Sequence, residues 1–158
     1  MIQIKFVPLR EGFKMPARAT KGSAAYDAYV PEDTDIHYGR QIIPLGFKLE
    51  MPPIIEMDDR TRAGYAAKGI QAYDADGKEY RIDADVKFGL IDSDYRGEVG
   101  AIIVVRDIRC FYNTLHLKKH QEISQLLFQI VPETEFVITD EISQTERGEK
   151  GFGQANGQ

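Results

Sequence analysis

Apolar and polar residues alternate in short segments along most of the chain. A period of two is typical of strands that bury one face, whereas a helix would repeat every three to four residues. Proline, glycine or Asp-Gly separates the segments, and only 60–69, which is alanine-rich and ends at Gly69, predicts one or two helical turns. Strands are predicted over 2–7, 23–30, 41–51, 54–57, 70–74, 78–82, 99–105, 124–131 and 136–139. Many short strands with close turns indicate an all-β barrel or sandwich.

A polar turn lies between Gly89 and Gly97 and contains Asp92 and Tyr95. Apolar residues lead into it and aliphatic residues follow it, so the pattern predicts strand, tight turn, strand. A turn of this kind holds a carboxylate and an aromatic hydroxyl between stiff elements, where proteins often place their chemistry. Asp, Ser and Gly are also ordinary turn formers, so the stretch alone is consistent with a plain turn as well.

The segment that leads into this turn carries a second turn signal. Asp76-Gly77 lies between two strand-like runs and predicts a β-hairpin. Asp74, Asp76 and Gly77 superficially resemble a calcium loop, but the downstream carboxylate that such a loop requires is missing. The segment is interpreted as a lengthened hairpin, with a remodelled binding pocket or a subunit contact as the other possibilities.

Composition limits the classes of partner. The chain has 158 residues and a net charge of -5, which suits a single acidic domain without broad attraction for nucleic acid or an anionic membrane. One cysteine, Cys110, cannot form an internal disulfide and favours a reducing compartment. Neither a signal peptide nor a membrane-spanning run is recognisable, so a cytoplasmic protein is expected.

The last residues differ in character from the rest. From Ser143 the chain is polar and glycine-rich, with too few apolar residues to pack on its own body. We therefore predict a β-barrel domain over 1–142 and a mobile C-terminal arm over 143–158. The arm carries an arginine and a phenylalanine among glycines, which suggests that it folds over something.

The order of these segments resembles the five motifs of the trimeric dUTPases, which hydrolyse dUTP to dUMP and pyrophosphate. The resemblance spans nearly the whole chain, and its third and fifth motifs match well. It implies a jelly-roll-like dUTPase barrel assembled as a homotrimer, with active sites between subunits and an extended, flexible C-terminal arm that closes over them. The matching segments are 25–27, 62–64, 89–97, 123–128 and 147–153.

The resemblance assigns chemistry to the third and first motifs. Asp92 matches the catalytic aspartate, which would activate the attacking water. Tyr95 matches the residue whose ring lies under the deoxyribose and would exclude a 2′-hydroxyl. Asp27 matches an aspartate that lies near the metal through water, and Mg²⁺ is the expected cofactor because it binds through substrate phosphates. Backbone groups of a hairpin before Gly89 are expected to bind the uracil, although the asparagine common in that hairpin is absent here.

The second and fourth motifs imply a triphosphate site formed by Arg62, Ala63, Gly64 and Gln125. Arginine suits phosphate because its planar fork stays charged and pairs with two oxygens. Ala63 departs from the family, which usually has a serine that donates to the oxygen between the α and β phosphates. Thr61 or the Gly64 backbone amide is the expected substitute donor.

The resemblance also assigns roles in the arm. Arg147 is expected to reach the γ-phosphate, and Phe152 to stack on the uracil ring and exclude water. Gly153 would let the backbone approach the phosphates closely. Gln154 stands where the family usually has a hydroxyl, although its amide can still donate.

Two other functions remain open from the sequence. A dCTP deaminase shares the fold and the kind of nucleotide, but the motif around Asp92 and the arm with Phe152 argue against it. A non-catalytic, dUTP-binding regulatory protein is suggested by Ala63 and by the altered arm.

Overall fold

The computed structural model describes residues 1–151. Within that range the chain forms thirteen strands and two short helices. In chain order they are β1 (Lys5–Pro8), β2 (Tyr26–Tyr29), β3 (Thr34–Ile36), β4 (Gly39–Pro44), β5 (Phe47–Glu50), β6 (Ile55–Arg60), α1 (Ala63–Lys68), β7 (Ile70–Tyr73), β8 (Glu79–Ile82), β9 (Ala84–Val86), β10 (Gly89–Ile91), β11 (Gly100–Val105), α2 (Arg109–Tyr112), β12 (Leu115–Leu117) and β13 (Glu122–Ile130).

The strands pair antiparallel in four small sheets packed around one apolar core. Strand order is β1-β5 in the first, β10-β6-β13-β2 in the second, β4-β11-β9 in the third and β3-β12-β7-β8 in the fourth. Burial follows the predicted period of two in β11, where Ala101, Ile103 and Val105 are buried and the residues between them are half-buried. The predicted all-β fold is confirmed.

Several element boundaries differ from those predicted. The single strand expected over 41–51 is two strands, because Gly46 has a φ of 79° and turns the chain between β4 and β5. β3 was not predicted, because it lies in a polar stretch with a weak strand signal. It forms because it pairs with β12. The strand predicted over 136–139 is wrong, since β13 is the last strand before residue 151 and ends at Ile130.

The two predicted turns have different outcomes. The Asp-Gly hairpin is confirmed, with Ala72 opposite Tyr80 and Gly77 at a φ of 80°. The turn between β10 and β11 instead joins two sheets, because β10 pairs with β6 while β11 pairs with β4 and β9. The hairpin expected before Gly89 is likewise absent as a paired ladder, since β9 and β10 lie in different sheets. Asp92 and Tyr95 therefore lie at a corner of the barrel.

The chain after β13 leaves the body. Residues 132–150 are exposed throughout, and they include Phe136 and Ile138, whose exposures are 97% and 100%. The boundary at residue 142 between body and arm stays a prediction. Within residues 1–151, none of the helices has the length and apolar character needed to cross a membrane.

Candidate functional site

Three neighbouring strands bring the first, second and fourth motifs together. β13 lies between β2 and β6, and Gln125 on β13 is directly opposite Asp27 on β2. Directly opposite residues share a face of a sheet, so these two side chains meet. Gln125 Nε2 donates to Asp27 Oδ1 at 3.3 Å, and Arg62 Nε, just beyond β6, donates to the same oxygen at 3.0 Å. Sheet pairing thus joins residues that are 98 positions apart.

Arg62 is held as a cation in partly buried surroundings. Burial opposes its charge, but the carboxylates of Asp27 and Glu122 outweigh that cost and raise the pKa of Arg62 above its usual value. Arg62 Nη1 lies 3.6 Å from Glu122 Oε2, and the guanidinium lies 5.4 Å from the centre of the Tyr65 ring. An arginine that is oriented in this way and only 28% exposed can offer its remaining N–H groups to an anion.

The helix that follows Arg62 completes a cleft. Ala63 and Gly64 are the first residues of α1, whose opening amides have no acceptor within the helix. The helix ends at Gly69 with a φ of 82°, so the predicted helical turns and their glycine end are confirmed. The cleft, here the Arg62 cleft, has a volume of about 350 Å³ and is lined by Arg62, Ala63, Gly64, Tyr65, Lys68, Gln71, Arg81 and Gln125.

Thr61 does not substitute for the hydroxyl that Ala63 lacks. Its Oγ1 donates to the backbone carbonyl of Val86, which ties the start of α1 to β9. A hydroxyl has one proton to donate, so this bond uses it. Of the two predicted substitute donors, only the Gly64 amide remains available.

A second cleft contains the polar turn. It has a volume of about 270 Å³ and is here called the Asp92 cleft; it is lined by Ile42, Leu90, Ile91, Asp92, Tyr95, Glu98, Val99, Gly100 and Ile102. Asp92 is exposed, and its backbone carbonyl accepts the Tyr95 amide at 3.1 Å, which closes the turn. An apolar slot with two carboxylates, those of Asp92 and Glu98, in its lining is the kind of site that holds a small flat ligand.

Bonds from outside the turn fix the Tyr95 ring. Tyr95 Oη donates to the carbonyl of Glu98 at 3.2 Å. The Glu98 carboxylate accepts Arg10 Nε at 2.7 Å, and this bond holds the pKa of Glu98 below its usual value. A Cβ on Gly97 would lie 2.3 Å from Tyr95 Oη, so glycine is required for the ring to rest where it does.

The predicted site residues therefore fall into separate groups on one chain. No residue lines both the Arg62 cleft and the Asp92 cleft. Arg147 lies in the exposed segment, where its Nε donates to the Lys150 carbonyl at 2.8 Å. The predicted site residues Phe152, Gly153 and Gln154 lie outside the described residues.

Comparison with known proteins decides the family. A family model described as dUTPase matches residues 76–156. The deoxyuridine 5′-triphosphate nucleotidohydrolase of Beijerinckia indica is 34% identical over 158 residues, covering 96% of this chain and 89% of that protein. The chain belongs to the dUTPase family. The family predicted from the motifs is thereby confirmed.

Two solved dUTPase structures share the fold at lower identity. A mutant dUTPase of Staphylococcus bacteriophage 80alpha with dUpNHpp is 20% identical, with a TM-score of 0.76 and 96% of each chain covered. A mutant dUTPase from phage phi11 of S. aureus is 18% identical, with a TM-score of 0.72, and covers 88% of this chain and 97% of that one. The latter structure describes the coordination of a structural Mg(II) ion.

Asp27, at the border of the Arg62 cleft, is the residue of this dUTPase that could hold a metal ion through water. Within residues 1–151 no cluster of three His, Cys, Asp or Glu side chains is placed to hold an ion. Asp27 is 6% exposed and adjoins two residues of the cleft, Arg62 and Gln125. A carboxylate oxygen there matches the preference of Mg²⁺ for oxygen ligands and for retained waters.

Sequence reasoning missed four residues of the Arg62 cleft: Tyr65, Lys68, Gln71 and Arg81. For Gln71 and Arg81 the signal was present in the predicted hairpin, because the register across Asp76-Gly77 places these two residues directly opposite each other. That register shows that the two residues share a face, but not that the face borders Arg62. Only the approach of α1 to β7 and β8 decides the latter.

Proposed function

We propose that the protein hydrolyses dUTP to dUMP and pyrophosphate, with Asp92 as the general base. The observation that carries the proposal is the convergence of Arg62 and Gln125 on Asp27, since it forms a cationic and amide-rich cleft from three motifs of the family. Membership of the dUTPase family supports the substrate and the reaction.

In the proposed reaction Asp92 accepts a proton from water as the water oxygen bonds to the α-phosphorus. The bond from that phosphorus to the oxygen shared with the β-phosphorus breaks, and pyrophosphate leaves with the electron pair. Asp92 suits this role because it is exposed at the mouth of a slot and makes no hydrogen bond through its side chain to residues 1–151. General-base assistance of this kind contributes about 10²- to 10⁴-fold.

Substrate binding is divided between the two clefts. The Asp92 cleft would take uracil and deoxyribose, with Tyr95 against the sugar, while Arg62, Gln125 and the amides of Ala63 and Gly64 would bind phosphate oxygens. Mg²⁺, placed near Asp27 through water and bound to phosphate oxygens, would offset the negative charge of the triphosphate. Arg147, Phe152, Gly153 and Gln154 would close the site from the arm.

A homotrimer would join the two clefts. On one chain the Arg62 cleft and the Asp92 cleft share no lining residue. The apolar side chains of the exposed segment 132–150 lie in solvent. Each body also has an apolar cleft of about 460 Å³, whose lining includes Ile4, Phe6 and Phe128. A neighbouring copy's segment in that cleft would bury both surfaces, and threefold symmetry would make every site equivalent.

We further propose the cytoplasm as the compartment, because Cys110 is a buried free thiol.

One observation favours a second function, a dUTP-binding protein without turnover. Ala63 lacks the hydroxyl common in the family, and the Thr61 proton is already used by Val86. A missing hydrogen bond to a charged oxygen costs about 1.5–3 kcal/mol, or roughly ten- to a hundredfold in rate.

The test is pyrophosphate release from dUTP with Mg²⁺, measured beside dCTP, dTTP and UTP. Asp92→Asn should reduce kcat by about 10²- to 10⁴-fold, because the amide cannot accept the proton. Asp94→Asn is the matched control, since Asp94 is an exposed carboxylate of the same turn, and its activity should equal that of the wild type. Saturable dUTP binding without release would favour the binding protein, and equal loss in both variants would contradict the role of Asp92.

A further inference from the structure

The Asp-Gly hairpin, formed by β7, β8 and their turn, contributes a cation to the Arg62 cleft. Arg81 on β8 lines this cleft together with Arg62 and Lys68, and no acidic side chain lines it. Three cationic side chains thus line one cleft of a chain whose net charge is -5, while the carboxylates that pair with them, those of Asp27, Glu122 and Glu79, lie outside its lining. Cations that face one cleft of an acidic protein favour an anionic ligand at that place.

The hairpin is positioned by several contacts rather than by its own turn alone. A Cβ on Gly69 would lie 2.4 Å from the Ile82 carbonyl, so the end of α1 touches β8 closely. Gln121 Nε2 donates to the Gln71 carbonyl at 2.8 Å, and Arg109 Nη2 donates to the Arg81 carbonyl at 2.7 Å. The backbone of Arg81 is thus fixed beside the cleft.

The Arg81 side chain keeps most of its binding capacity. Its Nη1 makes one long hydrogen bond, 3.4 Å, to the Gly69 carbonyl, and its Nε lies 3.7 Å from Glu79 Oε1. Glu79 is itself engaged by Gln71 Nε2 at 2.8 Å. A guanidinium has five N–H donors, so four of those on Arg81 make no hydrogen bond to residues 1–151.

We propose that Arg81 is a substrate-binding residue that contacts the pyrophosphate portion of the triphosphate and offsets the hydroxyl that Ala63 lacks. This inference rests on the proposed function. Ala63, Gly64 and Arg81 line the same cleft, while the Thr61 hydroxyl already donates to Val86, so Arg81 is the available side-chain donor that the Asp-Gly hairpin adds. Arginine is suited to this role because its fork pairs with phosphate oxygens.

The experiment compares Arg81→Ala, Arg81→Lys and Lys78→Ala in the full chain. Lys78 is the matched control because it is an exposed cation of the same hairpin that does not line the cleft. Arg81→Ala should lower kcat/KM for dUTP about tenfold, as expected for a partly exposed bond to a charged group. Arg81→Lys should recover part of the loss, and inhibition by dUMP should be unchanged, because dUMP lacks the pyrophosphate portion. A substitution that only destabilises the protein would change kcat/KM for dUTP and inhibition by dUMP alike.

A coupling measurement tests the link to Ala63. Ala63→Ser should raise kcat/KM more in the Arg81→Ala background than in the wild type, since donors that replace one another are non-additive. With an active wild type, equal kcat/KM for Arg81→Ala and Lys78→Ala would overturn the inference and leave the proposed function standing. If the wild type does not hydrolyse dUTP, binding of inorganic tripolyphosphate decides: weaker binding by Arg81→Ala alone supports the inference, and equal binding overturns it.

Discussion

Asp59 is a buried carboxylate whose replacement should stabilise the protein at neutral pH. It lies on β6 and is 2% exposed. In the sheet it is opposite the fully buried Leu126 on one side and Gly89 on the other, so its side chain points into the core beside a residue without a side chain. Neither of its carboxylate oxygens has a hydrogen-bond partner within residues 1–151.

Burial raises the pKa of Asp59 from 3.8 to about 7. The neighbouring Ser124 hydroxyl and Arg60 backbone oppose this change only in part. Between those two pH values the unfolded chain is ionised at Asp59 while the folded chain holds a proton, so stability falls as pH rises. At about 1.4 kcal/mol per pH unit, the free energy of unfolding should fall by roughly 3 kcal/mol from pH 5 to pH 8. The contribution is fully present below pH 3.8 and is lost as pH passes about 7.

Asp59→Asn removes the ionisation while keeping the shape. Its free energy of unfolding at pH 8 should exceed that of the wild type by about 1–3 kcal/mol, since the amide still lacks partners. The two proteins should be nearly equal at pH 5. Urea unfolding followed by far-ultraviolet circular dichroism suits a chain without tryptophan. The protein concentration is held fixed, because the proposed assembly would add to stability.

The neighbouring Asp58 is the matched control for this experiment. It is equally buried, at 1% exposed, but its Oδ2 accepts Arg60 Nη2 at 2.6 Å and also accepts Gln129 Nε2. Asp58→Asn should therefore destabilise the protein, because it removes a partnered charge and leaves Arg60 without its carboxylate. A pH profile of Asp59→Asn that is parallel to the wild-type profile from pH 5 to 8 would refute the reasoning.

Two further changes test the sugar contact and the assembly. Gly97→Ala should reduce the preference for dUTP over UTP, measured as the ratio of kcat/KM values, because the added Cβ would lie 2.3 Å from Tyr95 Oη and displace the ring. Gly22→Ala, whose Cβ would meet nothing closer than 3.9 Å, is its control, and an unchanged ratio in Gly97→Ala would count against Tyr95. Phe136→Asp should shift the proposed trimer toward single chains in sedimentation, because Phe136 is 97% exposed on one chain and a neighbouring copy would bury it. Thr134→Asp adds the same charge nearby, and equal masses for both variants would contradict this contact.

Local sequence determined much of the fold and the identity of the motifs. Alternation over short segments predicted the strands, the Asp-Gly pair predicted the hairpin, and Gly69 predicted the end of the helical turns. These signals depend on the backbone preferences and the apolar pattern of a few neighbouring residues, and both can be read from the sequence. The motif order predicted the family for the same reason, because spacing along the chain needs no tertiary information.

Tertiary structure alone decided which residues meet. Asp27 and Gln125 are neighbours because β13 pairs with β2, and the turn at Asp92 joins two sheets rather than two paired strands. Arg81 borders Arg62 only because α1 ends against β8. Pairing of distant strands depends on the packing of the whole core, and a charge such as Asp59 is buried or exposed according to that packing. The period of two in β6 places Asp59 on the same face as the buried Ile55 and Met57, but only the packing of the core shows that this face is still covered at Asp59.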